Sequence, residues 1–111
     1  MPDRVDRVVG TLEDVSSLQA LLSEVDSVVH CAGAVRGAHE STFARTNSEA
    51  VSTLVQLAAE RPNVRRFLLL SSLAASQPQV SPYAMSKLGG EQALATQATG
   101  MACLALRPPA V

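Results

Sequence analysis

Apolar positions along the chain alternate between short clustered runs and longer stretches with helical spacing. Val5 to Leu12 alternates loosely and is rich in valine, and Ser27 to Cys31, Phe67 to Leu70 and Met101 to Leu106 are brief apolar runs. Each suits a buried parallel strand, in which both faces are covered. Between them, Leu18, Leu21, Leu22 and Val25 share one helical face, as do Ala50, Val51, Leu54, Val55 and Ala58.

The helix boundaries are written in particular residues. Asp14 is placed to cap the first helix, and Pro62-Asn63 makes the turn after the second. The third starts most clearly: Ser81 is a good N-cap, and Pro82 occupies the first helical position, where a missing N–H costs nothing. It is expected to run to about Thr99 and to end at Gly100. The resulting order, β-α-β-α-β-α-β, predicts right-handed crossovers and one parallel sheet with helices on both faces. Residues 1–111 form a single unit with no repeat, linker or low-complexity segment.

Composition narrows the function classes. Of 111 residues 47% are hydrophobic and 17% charged, and the formal net charge of -1 offers no basic face to nucleic acid or anionic lipid. The apolar runs are far shorter than the roughly 20 residues a membrane-crossing helix needs. Met1-Pro2-Asp3-Arg4 lacks the apolar core of a secretory signal, so a cytoplasmic location is the default expectation. Cys31 and Cys103 both fall in apolar runs and read as buried free thiols.

In parallel sheets ligands bind beyond the carboxyl ends of the strands, which directs attention to the residues that follow each run. After the second comes His30-Cys31-Ala32-Gly33-Ala34, small residues that let a flat ligand approach the backbone or simply make a turn. After the third come the hydroxyls of Ser71 and Ser72. The third helix is more specific. Tyr83 is the only tyrosine and Lys87 the only lysine, and they stand four apart on one helical face. An ammonium group beside a phenol stabilises the phenolate, which a general base working near neutral pH requires. The same pair also reads as a solubilising surface pair. A zinc site from His30, Cys31, His39 and Cys103 fits no known ligand spacing. His39 and Glu40 read as solvent-facing.

Ser71-Ser72 after a strand, followed by Ser81-Pro82-Tyr83-Ala84-Met85-Ser86-Lys87, resembles the Ser and Tyr-x-x-x-Lys signature of short-chain dehydrogenases. Other blocks agree in order. Gly10-Thr11-Leu12-Glu13-Asp14 resembles the Gly-Asp-Leu-x-Asp stretch of the extended branch, the NAD-dependent epimerase/dehydratase type. His30-Cys31-Ala32-Gly33 resembles its His-x-Ala-[Ala/Gly] stretch, and Leu106-Arg107-Pro108-Pro109-Ala110-Val111 the start of its Leu-Arg-Pro-x-x-Val-Tyr-Gly-Pro block. The resemblance spans nearly the whole chain.

The resemblance implies a partial Rossmann-like doubly wound sheet of about four strands and three helices, with NAD or NADP as cofactor. It implies an oxidoreductase, epimerase or dehydratase in which Tyr83 moves the proton, Lys87 stabilises its phenolate and holds the nicotinamide ribose, and Ser72 positions the reacting oxygen. It also places Thr11 and Leu12 beside the adenine, Cys31, Ala32, Gly33, Ala34 and Val35 along the cofactor, Thr46 in contact with it and Pro109 beside the nicotinamide. Asn47 is expected to be structural. Thr11 stands where the family has an acid, and Ala50 where it has a glycine.

The family's opening β-α-β with its Gly-x-x-Gly-x-x-Gly turn has no counterpart, since the glycines fall at positions 10, 33, 37, 89, 90 and 100. The expectation is therefore of a fragment that binds dinucleotide weakly or not at all by itself. Implied partners are a small-molecule carbonyl or alcohol, a nucleotide sugar among them, and a second copy meeting the first through the second and third helices. Two other readings stay open: a non-catalytic relative that senses cofactor or binds protein, and an inactive fragment.

Overall fold

The computed structural model describes residues 5–32 and 45–109, with backbone only at 45 and 46. Helix α1 (Val15–Leu22) leads to strand β1 (Ser27–His30). A π-helical turn (Arg45–Glu49) runs into α2 (Ala50–Ala59), and β2 (Arg66–Leu70) follows. Two short 3-10 turns, Leu73–Ser76 and Pro78–Val80, precede α3 (Pro82–Gln97) and the last strand, β3 (Ala102–Leu106).

The caps form where the sequence predicts them. The Asp14 carboxylate accepts from the backbone N–H groups of Ser16 and Ser17, and the Ser81 hydroxyl from that of Ala84 at 3.0 Å. Gly100 takes φ +69°, the left-handed conformation that lets the chain leave α3 and turn into β3. Asn63 closes the other end of α1, its Nδ2 donating to the carbonyls of Leu22 at 3.1 Å and Val25 at 2.7 Å.

The strands form one parallel sheet in the order β1-β2-β3, with Val28 opposite Phe67 and Phe67 opposite Cys103. Strand order that follows chain order, joined by right-handed crossovers, places successive helices on the same face. Accordingly Leu18 and Leu22 of α1, Val51, Leu54, Val55 and Ala58 of α2 and Leu94 of α3 meet Phe67 and Leu69 of β2 in a single core. Phe67, 1% exposed, contributes about 1.5–3 kcal/mol by its burial.

Five expectations are corrected. Residues 5–12 form no strand, and Val5 and Val9 are exposed: valine supplies β propensity, but a ladder needs a partner, and the described sheet offers none to this segment. Among the described residues the sheet has three strands rather than four. The described helices cover one face rather than both, which leaves Val29 63%, Leu104 58% and Leu106 45% exposed on the other among the described residues. Cys31 and Cys103 are free but exposed: Cys31 follows the end of β1, and Cys103 lies on the edge strand β3. Leu21 and Val25 are also exposed, Val25 because α1 ends at Leu22 before reaching it. Among the described residues no helix is long and apolar enough to cross a membrane.

Candidate active site

The carboxyl ends of β2 and β3 and the start of α3 enclose a cleft of about 600 Å³, lined among others by Ser72, Gln77, Tyr83 and Pro109. Ser72 reaches it because β2 ends at Leu70 and the chain turns at once into a 3-10 segment. The Ser72 hydroxyl caps that turn, accepting from the Ala74 N–H at 3.1 Å, and keeps its own hydrogen to donate. Tyr83 stands half-buried one residue into α3, just past the Ser81 cap. Pro109 arrives from the segment after β3, which is sewn to the turn by the Leu73 N–H donating to the Pro108 carbonyl.

Lys87 follows one helical turn behind Tyr83, and it is 8% exposed. Its Nζ donates to the Leu70 carbonyl at 3.1 Å, so the ammonium is held at the carboxyl end of β2. Burial lowers the Lys87 pKa, and the Glu91 carboxylate opposes that shift. His30, 4% exposed at the end of β1, has its pKa lowered by burial first and by the Lys87 charge second. Its Nε2 is buried without a hydrogen-bond partner, and its ring lies 6.4 Å from that of Phe67.

The arrangement thus brings together Ser72, Tyr83 and Pro109, with Lys87 behind them. Thr11 and Leu12 are elsewhere: the Thr11 carbonyl accepts from the Asp14 N–H at 3.1 Å as part of the approach to α1, and Leu12 lines an apolar cleft with Leu18, Val28 and His30. Cys31 and Ala32 lie exposed just past β1. Gly33, Ala34 and Val35, and the side chain of Thr46, lie outside the described residues. Asn47 is structural as expected. It is 3% exposed, and its Nδ2 donates to the Ser86 hydroxyl on α3 at 3.0 Å.

Two further residues belong to the surroundings of the site and were not singled out from the sequence. The Glu91 carboxylate accepts from the Ser71 hydroxyl at 2.6 Å and from Nε and Nη2 of Arg107 at 2.8 and 2.7 Å. These bonds, the Arg107 hydrogen bond foremost, hold the Glu91 pKa below the ordinary carboxylate range. The signal for Glu91 was in the sequence: it follows Lys87 at the same spacing of four that drew attention to Tyr83 and Lys87.

The profile of a family described as NAD(P)H-binding matches residues 1–110. This chain belongs to that family. Over 107 residues it is 35% identical to a protein of Caulobacter vibrioides named ceramide reductase, covering 96% of this chain and 32% of that protein. Two solved structures share the fold. One is the Bordetella bronchiseptica enzyme WbmG in complex with NAD and UDP, at a TM-score of 0.75 and 20% identity, covering 88% of this chain and 36% of that one. The other is a UDP-glucuronic acid 4-epimerase from Bacillus cereus in complex with NAD, at a TM-score of 0.74 and 20% identity, covering 87% and 37%. The chain therefore spans about a third of the length of these three proteins.

As an NAD(P)H-binding chain of this type, it uses NAD or NADP as its cofactor. The residues present fit the nicotinamide-ribose end of such a group: a cleft open beyond the strand ends, a phenol facing it and a buried ammonium behind the phenol. For the pyrophosphate, these 111 residues carry no glycine-rich turn.

Proposed function

We propose that this chain carries the proton-handling part of an NAD(P)-dependent oxidoreductase acting on a carbonyl or secondary alcohol. The observation that carries the reading is the cleft at the strand ends that Tyr83 and Ser72 share, with the Lys87 ammonium held on the Leu70 carbonyl one turn behind. A nicotinamide bound there supplies the hydride donor or acceptor. In the direction of reduction, the Tyr83 hydroxyl gives its proton to the carbonyl oxygen, and the bound nicotinamide would supply the hydride to the carbon. The Ser72 hydroxyl donates a hydrogen bond to the same oxygen and fixes its position. Lys87, which with Tyr83 would hold the ribose, stabilises the phenolate left behind. Pro109 would flank a bound nicotinamide, and Cys31 and Ala32 would border the cofactor farther along the sheet.

The names of the relatives support a choice of substrate class. A protein named ceramide reductase implies a carbonyl on a long-chain molecule, whereas a UDP-glucuronic acid epimerase implies a nucleotide sugar. Greater sequence identity favours the former, and reduction of a ketone is the reaction we assign. The test is turnover with NADH and NADPH against a long-chain ketone and a UDP-sugar. Tyr83→Phe is expected to lower kcat by about 10²–10⁴-fold. Unchanged turnover in that variant overturns the role given to Tyr83, and turnover with the UDP-sugar alone overturns the substrate assignment.

A further inference from the structure

A buried lysine is useful to a phenolate only while it stays protonated, and burial works against that. Lys87 has one carboxylate a helical turn away, and that carboxylate is unusually constrained. Glu91 is gripped by the Ser71 hydroxyl from the end of β2 and by two guanidinium nitrogens of Arg107 from the end of β3. Three bonds from two strand ends leave this side chain little freedom. Its Oε2 accepts from both Ser71 and Arg107, and its Oε1 from Arg107 alone.

We propose that Glu91 is a positioning residue for Lys87: clamped by Ser71 and Arg107, its carboxylate is a fixed negative charge that keeps the Lys87 ammonium charged at the Leu70 carbonyl, within reach of Tyr83. The inference rests on the functional reading above only for its purpose, since the charge relation itself is a property of this chain. His30 from β1, Glu91 from α3 and the Leu70 carbonyl act on Lys87, Tyr83 stands one helical turn before it on α3, and Arg107 acts through Glu91. Above neutral pH the deeply buried His30 is uncharged. Glu91 is then the charge that sets the lysine.

Two roles for Glu91 predict opposite signs. A clamp that merely docked α3 onto the strand ends would, when weakened, let water reach the ammonium, and the Lys87 pKa would rise toward its free value of 10.5. A clamp that supplies charge would, when neutralised without changing shape, let burial act unopposed, and the pKa would fall.

Lys87 is the only lysine, so a 13C titration of lysine-labelled chain reads this group without assignment. Glu91→Gln is expected to lower the Lys87 pKa by about one unit, and Glu91→Asp to restore most of the difference. If Glu91→Gln does not fold, the double variant Glu91→Gln, Arg107→Gln replaces it. That change leaves no unpaired guanidinium and is expected to lower the value as well. A rise, or no measurable change, in the neutralised variant overturns the proposal. The titration needs neither cofactor nor turnover, so its failure is distinct from a failure of Tyr83→Phe to slow the reaction.

Discussion

Asn47 and Ser86 meet across the interface between α2 and α3, the Asn47 Nδ2 donating to the Ser86 hydroxyl at 3.0 Å. The Ser86 hydroxyl in turn donates to the Tyr83 carbonyl at 2.7 Å. The entry to α2 is therefore joined by two bonds to the backbone of the turn that presents Tyr83.

Because Asn47 is buried, Asn47→Ala removes its bond and strands the groups it satisfied. We expect a loss of about 1–3 kcal/mol in urea unfolding. Ser86→Ala is expected to cost about 1 kcal/mol, and the double variant less than the sum of the two. Strict additivity would show that the two residues are not coupled.

Gly90 and Gly100 are needed for different reasons. A Cβ at Gly90 would collide with the Asn47 carbonyl oxygen, a backbone atom that cannot swing aside, whereas nothing lies within 4 Å of a Cβ at Gly100. Gly90→Ala is expected to destabilise by about 1–3 kcal/mol through forced separation of α2 and α3. Gly100→Ala should cost about 1–2 kcal/mol through its positive φ alone, and Gly100→Asn less. Thermal midpoints of the three variants check this, and equal effects of Ala and Asn at 100 would refute the conformational account.

His30 gives stability a pH dependence with a definite sign. Its folded pKa lies below the free value of 6.5, so between the two the unfolded chain binds the proton and the folded chain does not. The contribution of His30 is complete above pH 6.5 and declines as pH falls through the folded value. His30→Leu, which replaces a ring whose Nε2 is unpaired, is expected to flatten the urea midpoint as pH falls below 6.5. A midpoint that falls as steeply in the variant would assign the dependence to another group.

The open sheet face makes a prediction about solution behaviour. Val29, Leu104 and Leu106 expose an apolar surface, and surfaces of this kind recruit hydrophobic dyes and other copies. Leu104→Lys with Val29→Thr should reduce dye fluorescence and light scattering by the 111-residue chain while leaving its circular dichroism unchanged. Undiminished dye binding would place the exposed apolar surface elsewhere.

Much of this protein was legible in its sequence because the signals were local. The spacing of Val51, Leu54, Val55 and Ala58 gave α2, and Ser81-Pro82 and Gly100 gave the limits of α3 within about two residues. The Tyr83–Lys87 spacing and the five ordered blocks gave the cofactor class and the family. These features depend on neighbours within a turn or two of chain, which a linear reading sees.

Strand formation at residues 5–12, the covering of both sheet faces and the burial of Cys31 and Cys103 were misread, because each depends on partners that hydrophobicity does not name. A valine run becomes a strand only beside another strand, and a thiol in an apolar run is buried only if something covers it. The clamp on Glu91 was likewise out of reach. Ser71, Glu91 and Arg107 are separated by 20 and 16 residues in the chain, and only the parallel pairing of β2 with β3 beneath α3 brings their side chains into contact. Sequence alone determined the residue types and local spacings of the site. Tertiary structure decided what holds Glu91 in place beside Lys87, because its bonds to Ser71 and Arg107 are created by the strand register and the docking of α3 rather than by the order of residues.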